Sequence, residues 1–134
     1  MESTDKSSII GFWSSKLFPK LTSYLQGLKA EKVAVKYLKK KGWTIIARNF
    51  KTKLGEVDII AYKGNNLTAF EVKYRGNEDM LYDSISAKQK KRVKNAFLVF
   101  LQKRNYYNED YIFRIDAILI NANYKINHIQ NAWE

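Results

Sequence analysis

One stretch of the chain, residues 55–75 (GEVDIIAYKGNNLTAFEVKYR), limits the possible folds more than any other. Its two runs, 56–63 and 67–75, are rich in β-branched and aromatic residues, which favour strands. The Gly-Asn-Asn between them tolerates the positive φ angles of a tight turn. The stretch therefore predicts an antiparallel β-hairpin. Three charged residues lie inside its strands, namely Asp58, Glu71 and Lys73.

These charges need a reason, because a strand that packs in a sheet has little room for them. Residues two apart in a strand share a face, so Glu71 and Lys73 are neighbours, and antiparallel pairing brings Asp58 near Glu71. Two facing carboxylates repel each other, which raises the pKa of one unless a cation lies between them. The pattern favours a divalent-metal site in which the lysine stabilises phosphate charge. A ladder of salt bridges between Lys73 and either acid is the alternative that spacing leaves open.

The rest of the pattern predicts one α/β domain over residues 21–134. A helical period runs from Leu21 to Lys41 and ends at Gly42, the glycine expected just past a helix. A second helix with one apolar stripe is predicted at 84–104. Strands outside the hairpin are predicted at 43–50, 111–120 and 124–129. The order α-β-β-β-α-β-β indicates a layered α/β domain with a mixed sheet.

The first 20 residues differ from the domain in composition, being Ser-rich at their start and holding the only proline, Pro19. We expect a flexible or loosely docked extension over 1–20. Its apolar residues, 9–18, suit docking on the chain's own core, on a partner or on a membrane surface. They are too interrupted for a signal peptide, and the chain has no apolar run long enough to predict a transmembrane helix. Since the chain has no cysteine, we expect a reducing compartment, the cytoplasm.

The net charge of the chain, its lack of cysteine and its single histidine limit which functions are possible. The 134 residues carry a formal net charge of +11, which predicts an anionic partner, nucleic acid or a membrane surface. A surface charged for solubility is the plain alternative. Most of the surplus is lysine, which favours contact with phosphates over reading of bases. With no cysteine and one histidine, a metal must be held mainly by carboxylates, the ligands of hard cations such as Mg²⁺ or Mn²⁺.

Several motifs, in one order, resemble the PD-(D/E)XK nuclease superfamily, which has the restriction endonuclease-like fold. More closely, the chain resembles the bacterial YraN-type family of endonuclease-like proteins, relatives of archaeal Holliday-junction resolvases. The superfamily's proline is missing, since Val57 precedes Asp58, as is usual in this branch. The matching segments are GLKAEKVAVKYLKKKGW (27–43), ARNFKTKLGEVDIIA (47–61), FEVKYR (70–75), AKQKKRVKNA (87–96), FRIDAILI (113–120) and INHIQNAW (126–133).

This resemblance implies a three-layer restriction endonuclease-like domain and a metal-dependent endonuclease that acts on DNA, including branched DNA. Asp58, Glu71 and Glu31 would bind Mg²⁺ or Mn²⁺, and Lys73 would be the lysine of the E-x-K motif. From the sequence alone, Glu31 is an acid on a helix, for which facing solvent is the default. Glu56 matches the family's G-E-x-D as a ligand, a supporting group or a partner in an ion pair, and these three roles stay open.

Basic residues around the acids are predicted to contact phosphates, with an ordinary surface role as the alternative. They are Arg48, Arg75, Lys88, Lys90, Lys91 and Arg92. Gln89 stands among them where many relatives have lysine, which leaves the role of that position open. Arg114 and Asp116 share a strand face and predict an internal ion pair, while His128 is expected to be structural.

Two function classes compete with the endonuclease. One is a nucleic-acid-binding module that has the same fold and does not cut. The other is a peripheral membrane or assembly factor that uses the apolar N-terminal segment. Because the resolvase relatives act as dimers, the resemblance also implies a homodimer, and a small-molecule substrate is not expected.

Overall fold

The computed structural model of the protein describes residues 18–76, 85–107 and 110–133. The predicted order of elements is confirmed. Helix α1 begins at Phe18, so the last residues of the predicted extension are helical, while the remainder of that extension lies outside the described residues. The elements are α1 (Phe18–Lys40), β1 (Thr44–Thr52), β2 (Gly55–Lys63), β3 (Asn66–Gly76), α2 (Ala87–Lys103), β4 (Ile112–Asn121) and β5 (Ile126–Ile129).

The five strands form one mixed sheet in the order β1-β2-β3-β4-β5. Three neighbouring pairs are antiparallel, whereas β3 and β4 are parallel. Parallel neighbours cannot be joined by a tight turn, and α2 provides the crossover that they need. No helix within the described ranges has the length and apolarity needed to cross a bilayer.

The two helices cover opposite faces of the sheet. Alternation along the strands sends Ile59 and Phe70 toward α1, and Ile60 and Ala69 toward α2. All four side chains are fully buried, as expected for central strands covered on both faces. Helix, sheet and helix make three layers, which confirms the predicted restriction endonuclease-like fold.

Glycines act where chain segments turn or approach closely. Gly42, at φ 95°, ends α1: its N–H bonds to the Lys39 carbonyl, and the Trp43 N–H bonds to the Leu38 carbonyl. This is the Schellman arrangement that the sequence predicts. At the start of β2, a Cβ on Gly55 would lie 2.0 Å from the carbonyl oxygen of Arg92 in α2. The missing side chain therefore lets α2 pack directly against the strand that carries Asp58.

Candidate active site

The hairpin of β2 and β3 brings Asp58 and Glu71 together where its ladder of paired residues ends. Pairing runs from the turn as far as Ile59 with Phe70, so Asp58 and Glu71 occupy the next position. There the Val72 N–H donates to Asp58 Oδ2, at 2.7 Å, instead of to the opposite strand. The Asp58 carboxylate thus satisfies a strand donor and is held in one orientation.

Glu71 is almost fully buried, with 4% of its surface exposed. Burial raises its pKa to about 9, helped by the hydrogen bond and charge of Asp58, while Lys73 and Gln89 act in the opposite direction. Gln89 Nε2 donates to Glu71 Oε2. Without a cation, Glu71 therefore keeps its proton at neutral pH.

Lys73 follows Glu71 on the same strand and is half-buried. It forms no salt bridge with either acid in the described part of the chain. The salt-bridge ladder, which was the alternative to a metal site, is therefore absent. Among the described residues, no direct ion pair therefore opposes the burial that raises the pKa of Glu71.

Glu31 approaches the same end of the sheet from α1. It is 7% exposed, so the solvent-facing position expected by default is wrong. Its Oε1 accepts from Arg48 Nη2 at 3.1 Å, from Arg48 Nε at 3.3 Å and from Asn49 Nδ2 at 2.9 Å. Asn49 reaches it from a backbone at φ 52°, a conformation that asparagine tolerates better than most residues.

Two cavities meet at these acids. Glu31 and Asp58 line one of about 290 Å³ beneath the first turns of α1. Glu71 and Gln89 line the other, of about 280 Å³, against the start of α2. Glu56 lines both, so the two cavities adjoin each other at this residue.

A divalent metal needs several ligand oxygens that lie close together. Among the described residues, no three His, Cys, Asp or Glu side chains form a group that could hold an ion. Asp58 and Glu71 remain as a carboxylate pair, and Mg²⁺ often binds through one or two carboxylates plus substrate phosphates and water. The pair fits such a cation. That Glu31 is a third ligand stays a prediction, since Arg48 and Asn49 engage one of its oxygens.

The basic residues that were predicted to contact phosphates lie in different places around the acids. Lys88 and Arg92 line the cavity of Glu71. Arg48 pairs with Glu31, yet 45% of its side chain stays exposed. Lys90 and Lys91 line neither cavity, and the carbonyl of Lys90 accepts from Trp133 Nε1. The remaining one, Arg75, is half-buried further along β3. Most of the loop after it, residues 77–84, lies outside the described residues.

Comparison with known proteins identifies the family. Residues 30–120 match a family model described as "Uncharacterised protein family UPF0102". The chain belongs to the UPF0102 family. This is the YraN-type family that the motifs predict. The matched region contains Glu31, Asp58, Glu71 and Lys73.

Several UPF0102 proteins are similar over most of their length. One from Alkaliphilus metalliredigens is 33% identical over 109 residues, 80% of this chain and 96% of that protein. One from Rhodopseudomonas palustris is 31% identical over 134 residues, 100% of this chain and 98% of that protein. One from Thermodesulfovibrio yellowstonii is 38% identical over 107 residues, 80% of this chain and 94% of that protein. The UPF0102 names give a family and no activity.

Gln89 is the site residue whose role the sequence left open, although a signal for it existed in this UPF0102 chain. Ser86 caps α2, with its Oγ accepting from the Gln89 N–H at 3.1 Å. Ser-x-x-Gln is the spacing of a capping box, which places the glutamine in the first helical turn. Because the start of α2 packs against β3, the side chain at that position reaches Glu71.

Proposed function

We propose that this protein is a metal-dependent endonuclease that hydrolyses phosphodiester bonds in DNA. The observation that carries the proposal is the buried pair of Asp58 and Glu71, with Lys73 on the same strand. A buried carboxyl whose pKa is about 9 costs stability at neutral pH. A cation between the two acids would remove that cost, and it would do so beside a lysine in a protein of net charge +11.

Asp58 and Glu71 would hold Mg²⁺ or Mn²⁺, with Glu31 as a candidate third ligand. When bound, the cation supplies Lewis-acid stabilisation of charge on a phosphate oxygen. The Val72 N–H fixes Asp58, and Gln89 fixes one oxygen of Glu71 while the other loses its proton.

The basic residues have separate tasks in this proposal. Lys73 orients the attacking water and stabilises charge that grows on the phosphate. Lys88 and Arg92 share the cavity of Glu71 and would hold the DNA backbone there. Branched or otherwise structured DNA is the substrate class implied by the resemblance to Holliday-junction resolvases, which also implies a homodimer.

A binding module that does not cut is the second candidate, and one observation favours it. Arg48 and Asn49 engage Glu31, and the described residues supply no group of three metal ligands. A site that has lost its third ligand could still hold a phosphate backbone through its basic residues. Metal binding and cleavage therefore have to be measured separately.

The test compares the wild type with Asp58→Asn/Glu71→Gln, and uses Asp110→Asn as the matched control, since that acid lies just before β4. Calorimetry measures Mg²⁺ and Mn²⁺ binding. Cleavage is followed on single-stranded, duplex, nicked and four-way-junction DNA.

We expect the wild type and the control to bind metal and to cut, and the double variant to do neither. Metal binding without cleavage of any substrate would favour the binding module. No metal binding by the wild type, with DNA present, would refute the proposed site.

A further inference from the structure

A second basic cavity, of about 620 Å³, opens beyond the C-terminal end of α1. Four basic side chains line it, and none of its lining residues is acidic. Tyr37 and Trp43 are its aromatic members. The four basic residues are Lys41, Lys63, Arg114 and His128.

This cavity is distinct from the candidate active site and shares no lining residue with its two cavities. Lys63 ends β2, five residues after Asp58, which corresponds to about 16 Å along a strand. Lys41 follows α1, ten residues after Glu31, which corresponds to about 15 Å along a helix. Both distances place the cavity at the opposite end of the sheet from the acids.

The floor of the cavity is held rigidly by Asp116, which is fully buried. Arg114 donates to both of its oxygens, at 3.0 and 2.8 Å, which confirms the predicted ion pair. His128 Nε2 lies 2.8 Å from Asp116 Oδ2, and His128 Nδ1 lies 3.1 Å from the Tyr37 hydroxyl. The Asn131 N–H also donates to Asp116, at 3.0 Å.

Arg114 keeps donors for a ligand. A guanidinium has five N–H donors, and Asp116 engages only Nε and Nη2. In the described part of the chain, the Nη1 donors of Arg114 make no hydrogen bond. The guanidinium also lies 5.8 Å from the centre of the Trp43 ring, which limits its movement further. A fixed guanidinium with open donors is a suitable partner for an oxyanion.

Two lysines at the rim of the cavity carry positive charge that no acidic side chain in the described part of the chain neutralises. Lys41 and Lys63 are exposed, and neither forms a salt bridge within the described residues. The Lys63 stem passes Gly42, where Cε would lie 3.5 Å from an added Cβ. The nearby carbonyls at the end of α1, which would repel an anion, already accept from the N–H groups of Gly42 and Trp43. Lysines that merely balance the helix dipole are the plain alternative.

We propose that this cavity binds a backbone phosphate of a nucleic acid, as a contact separate from the acids. The open, cationic rim suits a phosphate that stays attached to a chain, and a net charge of +11 favours a polyanion over a small phosphorylated molecule. The separation of about 15 Å equals roughly four to five steps of a DNA strand, so one nucleic acid can reach both places. The proposal holds whether or not the acids cut.

The first experiment uses His128, the only histidine of the chain, as an NMR reporter of the cavity. Its ring signals are followed in EDTA while either a short single-stranded oligonucleotide or inorganic phosphate is added. We expect the oligonucleotide to shift them at concentrations far below those of phosphate. Shifts by phosphate alone would overturn the assignment to nucleic acid, and no shift with either would overturn the site.

The second experiment measures oligonucleotide affinity in EDTA against salt concentration. Lys41→Gln/Lys63→Gln is compared with Lys36→Gln/Lys39→Gln, which removes the same charge from exposed positions of α1 outside the cavity. The slope of log affinity against log salt should fall by about 1.4 for the cavity variant, since two contacts with a single strand are lost, and stay near the wild-type slope for the control.

Equal losses in the two variants would show a diffuse charge effect and overturn the site. Because both experiments are done without divalent metal, a failure of the proposed nuclease activity does not affect them. Glu71→Gln should leave the His128 shifts and the salt slope unchanged, which separates the two places directly.

Discussion

Replacing Glu71 by glutamine should stabilise the metal-free protein at neutral and alkaline pH. The folded pKa of Glu71 is about 9, against an ordinary value of 4.5. Between these values the folded state keeps a proton that the unfolded state has released, so the free energy of unfolding falls as pH rises, and it levels off above pH 9. Glutamine has no proton to lose, and its amide retains an acceptor for Gln89 and a donor for Asp58.

The size of the effect follows from the same shift. Each pH unit inside the window lowers the free energy of unfolding by about 1.4 kcal/mol. At pH 7, which lies 2.5 units above 4.5, the wild type is destabilised by about 3 kcal/mol relative to the variant. For a chain of 134 residues this corresponds to roughly 10 °C in Tm. Below pH 4 the difference should vanish, because Glu71 is then protonated in both states.

Urea unfolding, followed by tryptophan fluorescence in EDTA between pH 4 and pH 9, measures the difference. Excess Mg²⁺ or Mn²⁺ should then stabilise the wild type and leave Glu71→Gln unchanged, since a ligand stabilises only the state that binds it. If the two proteins unfold at the same urea concentration at pH 4 and at pH 8, the folded pKa of Glu71 is not raised above its ordinary value. The argument from two mutually repelling carboxylates would then be refuted.

Three further substitutions test the packing around the two sites, each by urea unfolding. Gly55→Ala places a Cβ against the Arg92 carbonyl and should cost about 1–3 kcal/mol, whereas Gly27→Ala in α1, with no atom within 4 Å, should gain about 0.5–1 kcal/mol. Asp116→Asn leaves the Arg114 charge without its buried partner and should cost about 3–5 kcal/mol. Hydrogen bonds from His128 and Arg114 lower the Asp116 pKa against burial, so its stabilisation is present above pH 3.8 and is lost on acidification below it. Equal stability of Gly55→Ala and Gly27→Ala, or of Asp116→Asn and wild type, would contradict the packing described.

The parts of the site that lie close in the chain were predictable. Strand alternation and a two-residue turn set the hairpin register, and the register alone brings Asp58 to Glu71. The ion pair of Arg114 and Asp116 was predictable for the same reason, since residues two apart share a strand face.

The remaining contacts depend on how distant elements pack. Glu31 and Arg48 are 17 residues apart, and their pairing needs α1 to lie on the sheet at one rotation. Gln89 reaches Glu71 because the cap at Ser86 and the close approach at Gly55 fix the start of α2. The periodicity of a helix shows which face is apolar, but not which residue of the sheet each polar side chain meets.

The topology of the hairpin also orders the steps by which the site forms. Asp58 and Glu71 meet across a short turn, whereas Gln89 arrives only with α2, the crossover that parallel pairing of β3 with β4 requires. Local pairing costs little loop-closure entropy, so the acids come together while water still hydrates them. The repulsion between the two carboxylates becomes strong only when α2 docks and excludes this water. In the metal-free protein at alkaline pH, α2 is therefore the element whose local opening is most favoured, so the ionisation of Glu71 controls how often water reaches the two acids.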